Sequence, residues 1–285
     1  MAIERKKLTV TIKKELFSKI DSVIDGRKIR NRSHATEFLI EEGLGHNKVK
    51  TAIILAGGKG TRLRPITYEV PKPLIPVKNK PLIQHTIEML KKYHIETIYL
   101  SLGYKAKQIK DYFKDGSNFG INIKYLIEKK PLGTAGPLSL AKKEIDDAFL
   151  LIWGDVLAEI DLTDFISFHK EQNTIGTLAL TSVEDPSQFG VVNLNGNKIT
   201  GFFEKPKKEE APSNLINAGV AIFEPEIFKI IPNRPASIEK EIYPKLVKNN
   251  QLSGYAFEGQ WFDTGTPESY EKAIKNWQKK KKRAG

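Results

Sequence analysis

The sequence contains no cysteine. That excludes disulfides, thiolate-ligated zinc and thiol nucleophiles together. Long apolar runs are also missing. The longest, Ala148–Trp153, is far shorter than the ~20 residues a helix needs to cross a bilayer. The opening MAIERKK has no apolar stretch, so no secretory leader is expected there and a cytoplasmic protein is the plain reading. His34, His46, His85, His94 and His169 show no metal-ligand spacing and read as structural or surface residues. Apart from the basic run Lys279–Arg283, expected to be the solvated end of a helix, there is no low-complexity segment and no repeat.

What is present is enough for a core. The chain has 285 residues, 40% of them hydrophobic, with 3 Trp and 14 Phe. That length holds one large α/β domain and a small module. The net charge is +12, of which residues 1–50 contribute +5 from 12 Lys/Arg against 7 Asp/Glu. A basic balance suits anionic partners, nucleotides or DNA, without choosing between them.

Thr51–Leu74, TAIILAGGKGTRLRPITYEVPKPL, organises the large part. Ala52–Leu55 is β-branched and apolar and runs into glycines, the pattern of a buried parallel strand entering a loop. Without Cβ atoms at Gly57, Gly58 and Gly60, backbone N–H groups can approach phosphate oxygens. Arg62 adds a bidentate cation, and Lys72 follows between two prolines. The glycines match neither a P-loop nor G-x-G-x-x-G.

Beyond this stretch strands and helices alternate, which predicts a mainly parallel sheet with helices on both faces, a Rossmann-like α/β fold. Helices are expected over Leu82–Tyr93, Gln108–Phe113 and from Pro137. Strands are expected over Ile98–Leu100, Ile121–Ile127 and Phe149–Trp153. An Asn195-Gly196 hairpin turn is expected before Ile199. Asp155, after Gly154 at a strand's C-terminal end, is well placed to hold Mg²⁺ against phosphate oxygens. Asp263, in Trp261-Phe262-Asp263-Thr264-Gly265, is a second candidate.

LAGGKGTRLRP followed by PKPL resembles the signature of the sugar-1-phosphate nucleotidyltransferases, and the likeness runs from about Lys50 to about Tyr270. The resemblance implies transfer of a nucleotidyl group from an NTP to a sugar-1-phosphate. It implies that Arg62 and Lys72 contact the triphosphate, that Lys205 meets the sugar phosphate, and that Asp155 and Asp263 hold Mg²⁺. Leu55, Gly57, Gly58, Gly60, Thr61, Glu128, Gly133 and Thr134 would line the nucleotide site, and Gly190, Glu204 and Asn217 the sugar site. PLGTAGPL and the run Pro235–Glu241 look most like the enzymes that act on mannose-1-phosphate. Glu128 bears on the base. A carboxylate only accepts hydrogen bonds, and guanine offers adjacent N1–H and N2–H₂ donors, whereas uracil and thymine flank one donor with acceptors. GTP is the expected donor, with UTP or dTTP next.

Residues 1–48 read as a separate module joined by a short polar linker to a catalytic part over 50–285. Lys7–Ile12 alternates as a strand with Leu8, Val10 and Ile12 on one face. Two helices follow, the second with Ser33 as its expected N-cap. One strand and two helices cannot bury a core alone. The order resembles the ribbon-helix-helix DNA-binding family, which implies a homodimer or higher even-numbered oligomer. It also implies contact with duplex DNA through Lys7, Thr9 and Thr11, and with its phosphates through Ser33. The alternative is a dimerisation clip that binds no DNA.

Overall fold

Thr51–Leu55 (β1) lies inside a nine-stranded sheet. The other strands are Thr97–Leu102 (β2), Asn122–Ile127 (β3), Phe149–Trp153 (β4), Gly176–Ser182 (β5), Gly190–Asn195 (β6), Lys198–Glu204 (β7), Leu215–Phe223 (β8) and Leu252–Ala256 (β9). The structure is a computed structural model that describes residues 8–26, 29–44 and 49–277. Its chain divides after Lys48 into two units.

The strand order is β3-β2-β1-β4-β8-β5-β9-β7-β6. The first four are parallel, with Leu55 beside Ser101 on one side and Trp153 on the other. The rest of the sheet is mixed: β8 runs antiparallel to β4 and β5, β9 parallel to β5, and β7 antiparallel to β9 and β6. A tight hairpin forces the last pairing. Asn195 pairs with Lys198, so the central turn residues are Gly196 (φ 57°) and Asn197, one position later than expected.

Alternation along the parallel strands feeds two cores. Ala52, Ile54, Leu100 and Ile152 face one side, beneath helices Leu82–Lys92, Ala106–Phe113 and Leu162–Gln172. Ile53, Tyr99 and Leu151 face the other, beneath Gly136–Ala141 and Tyr243–Lys248. Burial on both faces is why these strands read as continuous apolar runs. Ile83, Ile87 and Leu90 recur at helical spacing and are buried. Asp161 caps Leu162–Gln172 by accepting from the N–H groups of Thr163 and Asp164. The sheet's four parallel strands therefore present the loops after Leu55, Leu102, Ile127 and Trp153 at one edge, where an open α/β sheet binds ligands.

In the first unit two helices, Lys14–Ser22 and Arg32–Leu44, pack on one another, with Ala35 buried. Asn31, not Ser33, caps the second: its Oδ1 accepts from the His34 N–H at 3.0 Å, because the helix begins at Arg32, two residues earlier than expected. Leu8–Ile12 forms no strand among the described residues, since a strand needs a ladder partner. Lys7 lies outside the described residues, as does the Lys279–Arg283 run. Among the described residues no helix is long and apolar enough to cross a membrane.

Candidate active site

The glycine loop leaves β1 and turns beneath the segment that carries Lys72. Gly60 has φ 61°, and a methyl group there would stand 2.8 Å from Thr67 Cγ2 and 3.2 Å from Lys72 Cβ. Thr67 Oγ1 closes the turn by donating to the Gly60 carbonyl at 2.9 Å. Among the described hydrogen bonds none uses the backbone N–H of any residue from Gly57 to Arg62. Such a run of unspent donors is a cradle for anionic oxygens. Leu63, buried, anchors the end of the loop.

Arg62 makes no hydrogen bond or ion pair among the described residues. Its guanidinium lies against Gly265, where a methyl group would be 2.7 Å from Nη2. The Gly265 segment is held at the end of β4 because Trp261–Asp263 pairs antiparallel with Val156–Ala158, placing Asp263 opposite Val156. Thr264 reinforces the join, donating through N–H and Oγ1 to the Asp155 carbonyl at 3.0 and 2.7 Å.

Lys72 is buried and its Nζ donates to Asp155 Oδ2 at 2.7 Å. Burial pushes the Asp155 carboxyl up, but the Lys72 ammonium, with Arg62 beyond it, outweighs this and holds it below the ordinary carboxylate range. Asp263 goes the other way. Burial raises its carboxyl and the Asp155 charge raises it further, against the pull of Lys72. One carboxylate is thus kept ionised beside another that resists ionisation. Among the described residues no group of three or more His, Asp or Glu forms a metal cluster.

A cavity of about 500 Å³ opens over these groups. All eight residues assigned to the nucleotide line it, together with Arg62, Lys72 and Asp155. At its far side the Glu128 carboxylate is held at both oxygens, Oε1 by the Ser101 hydroxyl at 2.7 Å and Oε2 by the Leu132 N–H at 3.0 Å. Gly133 (φ 76°) pairs with Ala236, and a methyl group there would meet the Ala236 carbonyl at 2.3 Å. Thr134 Oγ1 donates to Glu239 Oε2 at 2.5 Å and accepts from the Ile238 N–H at 2.9 Å.

A second cavity of about 440 Å³ adjoins the first and shares Arg62, Thr134, Trp153 and Asp155 with it. Gly190, Glu204, Lys205, Asn217 and Asp263 line it. Gly190 is needed because a methyl group there would stand 2.3 Å from Phe202 Cζ. Lys205 adopts φ 51°, a left-handed conformation uncommon for a side-chain-bearing residue. Asn217 Oδ1 accepts from the Gly219 N–H at 3.1 Å, which fixes the orientation of its amide. Burial and the nearby Glu239 charge raise the Glu204 carboxyl, with Lys205 pulling it back.

Glu239 and Trp153 also line the second cavity, although the sequence gives neither a site role. Glu239 sits in the run Pro235–Glu241, and Trp153 is two residues before Asp155, so the signal for both is their neighbourhood. Among the histidines, His85 and His169 are buried. His85 Nε2 lies 2.8 Å from the Val77 carbonyl, and His169 sits between Thr177 and Glu224.

Residues 51–280 match the family described as Nucleotidyl transferase. A mannose-1-phosphate guanyltransferase of Gibberella zeae is 42% identical over 225 residues, covering 76% of this chain and 61% of its own. The chain therefore spans about three fifths of the length of that relative. The crystal structure of a UDP-glucose pyrophosphorylase complexed with UDP-glucose has a TM-score of 0.70 at 26% identity, over 80% of this chain and 98% of that one. HddC from Yersinia pseudotuberculosis complexed with GMP-PN has a TM-score of 0.68 at 28% identity, over 80% and 100%. With residues 51–280, more than two thirds of its length, matched in this way, the chain belongs to the nucleotidyl transferase family.

Proposed function

We propose that the chain transfers guanylyl from GTP to mannose-1-phosphate, giving GDP-mannose and pyrophosphate. One observation carries the reading. A cradle of unspent backbone donors with Arg62 adjoins a second polar cavity through a shared wall at Arg62, Thr134, Trp153 and Asp155. Triphosphate in the first and sugar phosphate in the second meet at that wall. A sugar-phosphate oxygen attacks the α-phosphorus, the bond from that phosphorus to the bridging oxygen breaks, and pyrophosphate leaves with the electron pair. The nucleophile is already an anion, so the protein's work is alignment and charge neutralisation.

In this reading Arg62 and the loop amides hold the β- and γ-phosphates. Lys72 holds the α-phosphate and Lys205 the incoming phosphate, while Glu204 and Asn217 take sugar hydroxyls. The site fits Mg²⁺: the pairing of Asp263 with Val156 brings its carboxylate beside that of Asp155, and burial together with the Asp155 charge disfavours Asp263 as an anion, which a cation relieves. Magnesium takes one or two carboxylates and completes its shell with phosphate oxygens and water. Held by Asp155 and Asp263, it would supply further charge neutralisation on the triphosphate.

Guanine is favoured by Glu128, whose oxygens keep acceptor capacity after their two protein bonds, and by the guanyltransferases among the relatives. Pyrophosphate release across four NTPs and several hexose-1-phosphates tests the reading. GTP with mannose-1-phosphate is expected to give the highest kcat/KM. A pyrimidine triphosphate in first place would indicate a uridylyl- or thymidylyltransferase acting on glucose-1-phosphate. Absence of release would leave a DNA-binding regulator whose large unit senses nucleotide or sugar phosphate.

A second reading concerns the first unit. Leu8, Val10, Leu16 and Phe17 are all exposed, at 75, 57, 47 and 43%. Such a set on so small a unit asks for a partner. Residues 1–48 pair with those of a second copy, and the paired Thr9, Thr11 and Lys7 face duplex DNA, with the helix start near Ser33 at its backbone.

A further inference from the structure

We infer that Ser101 is the positioning residue that sets Glu128 for reading guanine. The inference rests on Glu128 being the base-reading group. Ser101 sits in β2, flanked by Leu55 of β1 and Leu126 of β3. Its side chain is completely buried. A hydroxyl in such a place costs free energy unless it is hydrogen-bonded, and alanine would fill the position without that cost. The hydroxyl's one described bond goes to Glu128 Oε1, at 2.7 Å, on a residue that lines the nucleotide cavity.

The geometry makes this bond directional. Oε1 is tied to the rigid sheet through Ser101, and Oε2 to the loop through the Leu132 N–H. With about four acceptor sites on a carboxylate, each oxygen keeps capacity for one more donor. Two such sites side by side match guanine's N1–H and N2–H₂. Gly57 closes over the same group, since a methyl group on it would stand 2.5 Å from Oε1. Only glycine at 57 leaves this oxygen its place. Without Ser101 it is held at Oε2 alone and can rotate about its last torsion, which has only a broad preference. The paired contact is then lost before the single one.

ITP, which lacks the N2 amino group, reads this out. In the full-length protein with mannose-1-phosphate, Ser101→Ala should lower the ratio of kcat/KM for GTP over ITP by about tenfold, the scale of one badly paired polar group. The loss should fall mainly in KM for GTP. Glu128→Gln should collapse the ratio, and Ser101→Thr, which keeps the hydroxyl, should hold it within about threefold. A general structural role would move GTP and ITP equally. If Ser101→Ala is insoluble, Ser101→Cys, a weaker donor, should still reduce the ratio. An unchanged ratio in the Ala or Cys variant with a collapsed ratio in Glu128→Gln overturns the role of Ser101 and leaves Glu128 as base reader. An unchanged ratio in Glu128→Gln as well overturns both, and so does an unmodified protein that does not prefer GTP to ITP.

Discussion

Lys72 Nζ stands 2.7 Å from Asp155 Oδ2, joining the PKPL segment to the end of β4 across 83 residues of chain. The ammonium is the main reason the Asp155 carboxyl stays ionised despite its burial. A cation and an anion thus hold each other at the place where the triphosphate is expected.

Removing either partner should be costly to turnover. Lys72→Ala or Asp155→Asn is expected to lower kcat at least about 100-fold, the usual scale for one lost transition-state charge contact. Steady-state pyrophosphate release at saturating Mg²⁺ checks this, with a thermal melt to show that the fold persists. Near-normal turnover in both variants would remove these residues from the chemistry.

Gly265→Ala tests whether Arg62 must lie where it does. Gly265 has no positive φ, so alanine suits the backbone and the added methyl acts through its 2.7 Å approach to Arg62 Nη2 and its 2.8 Å approach to Asp263 Oδ2. Displacing the guanidinium should reduce kcat/KM for the NTP by about 10- to 100-fold, since small misplacements of a positioning group cost that much. A change of less than twofold would show that Arg62 adapts without loss.

Tyr243 offers a stabilising substitution. Its ring is fully buried, edge-on to Phe202 at 4.9 Å and stacked with Phe223 at 6.3 Å. Its hydroxyl has no hydrogen bond of good geometry, although the Asn217 side chain lies beside it. Burial pushes the phenol well above its ordinary range. Tyr243→Phe keeps the packing and deletes the unpaired group, so stability should rise by about 1 kcal/mol, seen as a higher Tm. A lower Tm would show that the hydroxyl is partnered in solution.

Deleting residues 1–48 should leave pyrophosphate release within about twofold, because the large unit carries its own core. The same deletion should abolish salt-sensitive binding to duplex DNA and reduce the assembly size measured by light scattering. If the intact protein shows no DNA affinity at low ionic strength, the first unit is a dimerisation clip alone.

Local pattern made much of this legible. The β-branched run into three glycines marked β1 and its loop, helical spacing marked Leu82–Lys92, and an Asp beyond a strand end marked Asp155. The eight residues that the resemblance assigns to the nucleotide line one cavity. Other features depended on distance across the chain. The ribbon of Val156–Ala158 with Trp261–Asp263 brings Asp263 to Asp155, and Gly265 then receives Arg62. Thr134 meets Glu239 through the Gly133–Ala236 bridge. The antiparallel direction of β8, set between β4 and β5, came from no periodicity, since apolar alternation is the same for either direction of pairing. Side-chain period and turn chemistry are properties of neighbours in sequence. Which hydroxyl ends beside which carboxylate, as Ser101 does beside Glu128, is decided only when the sheet order is.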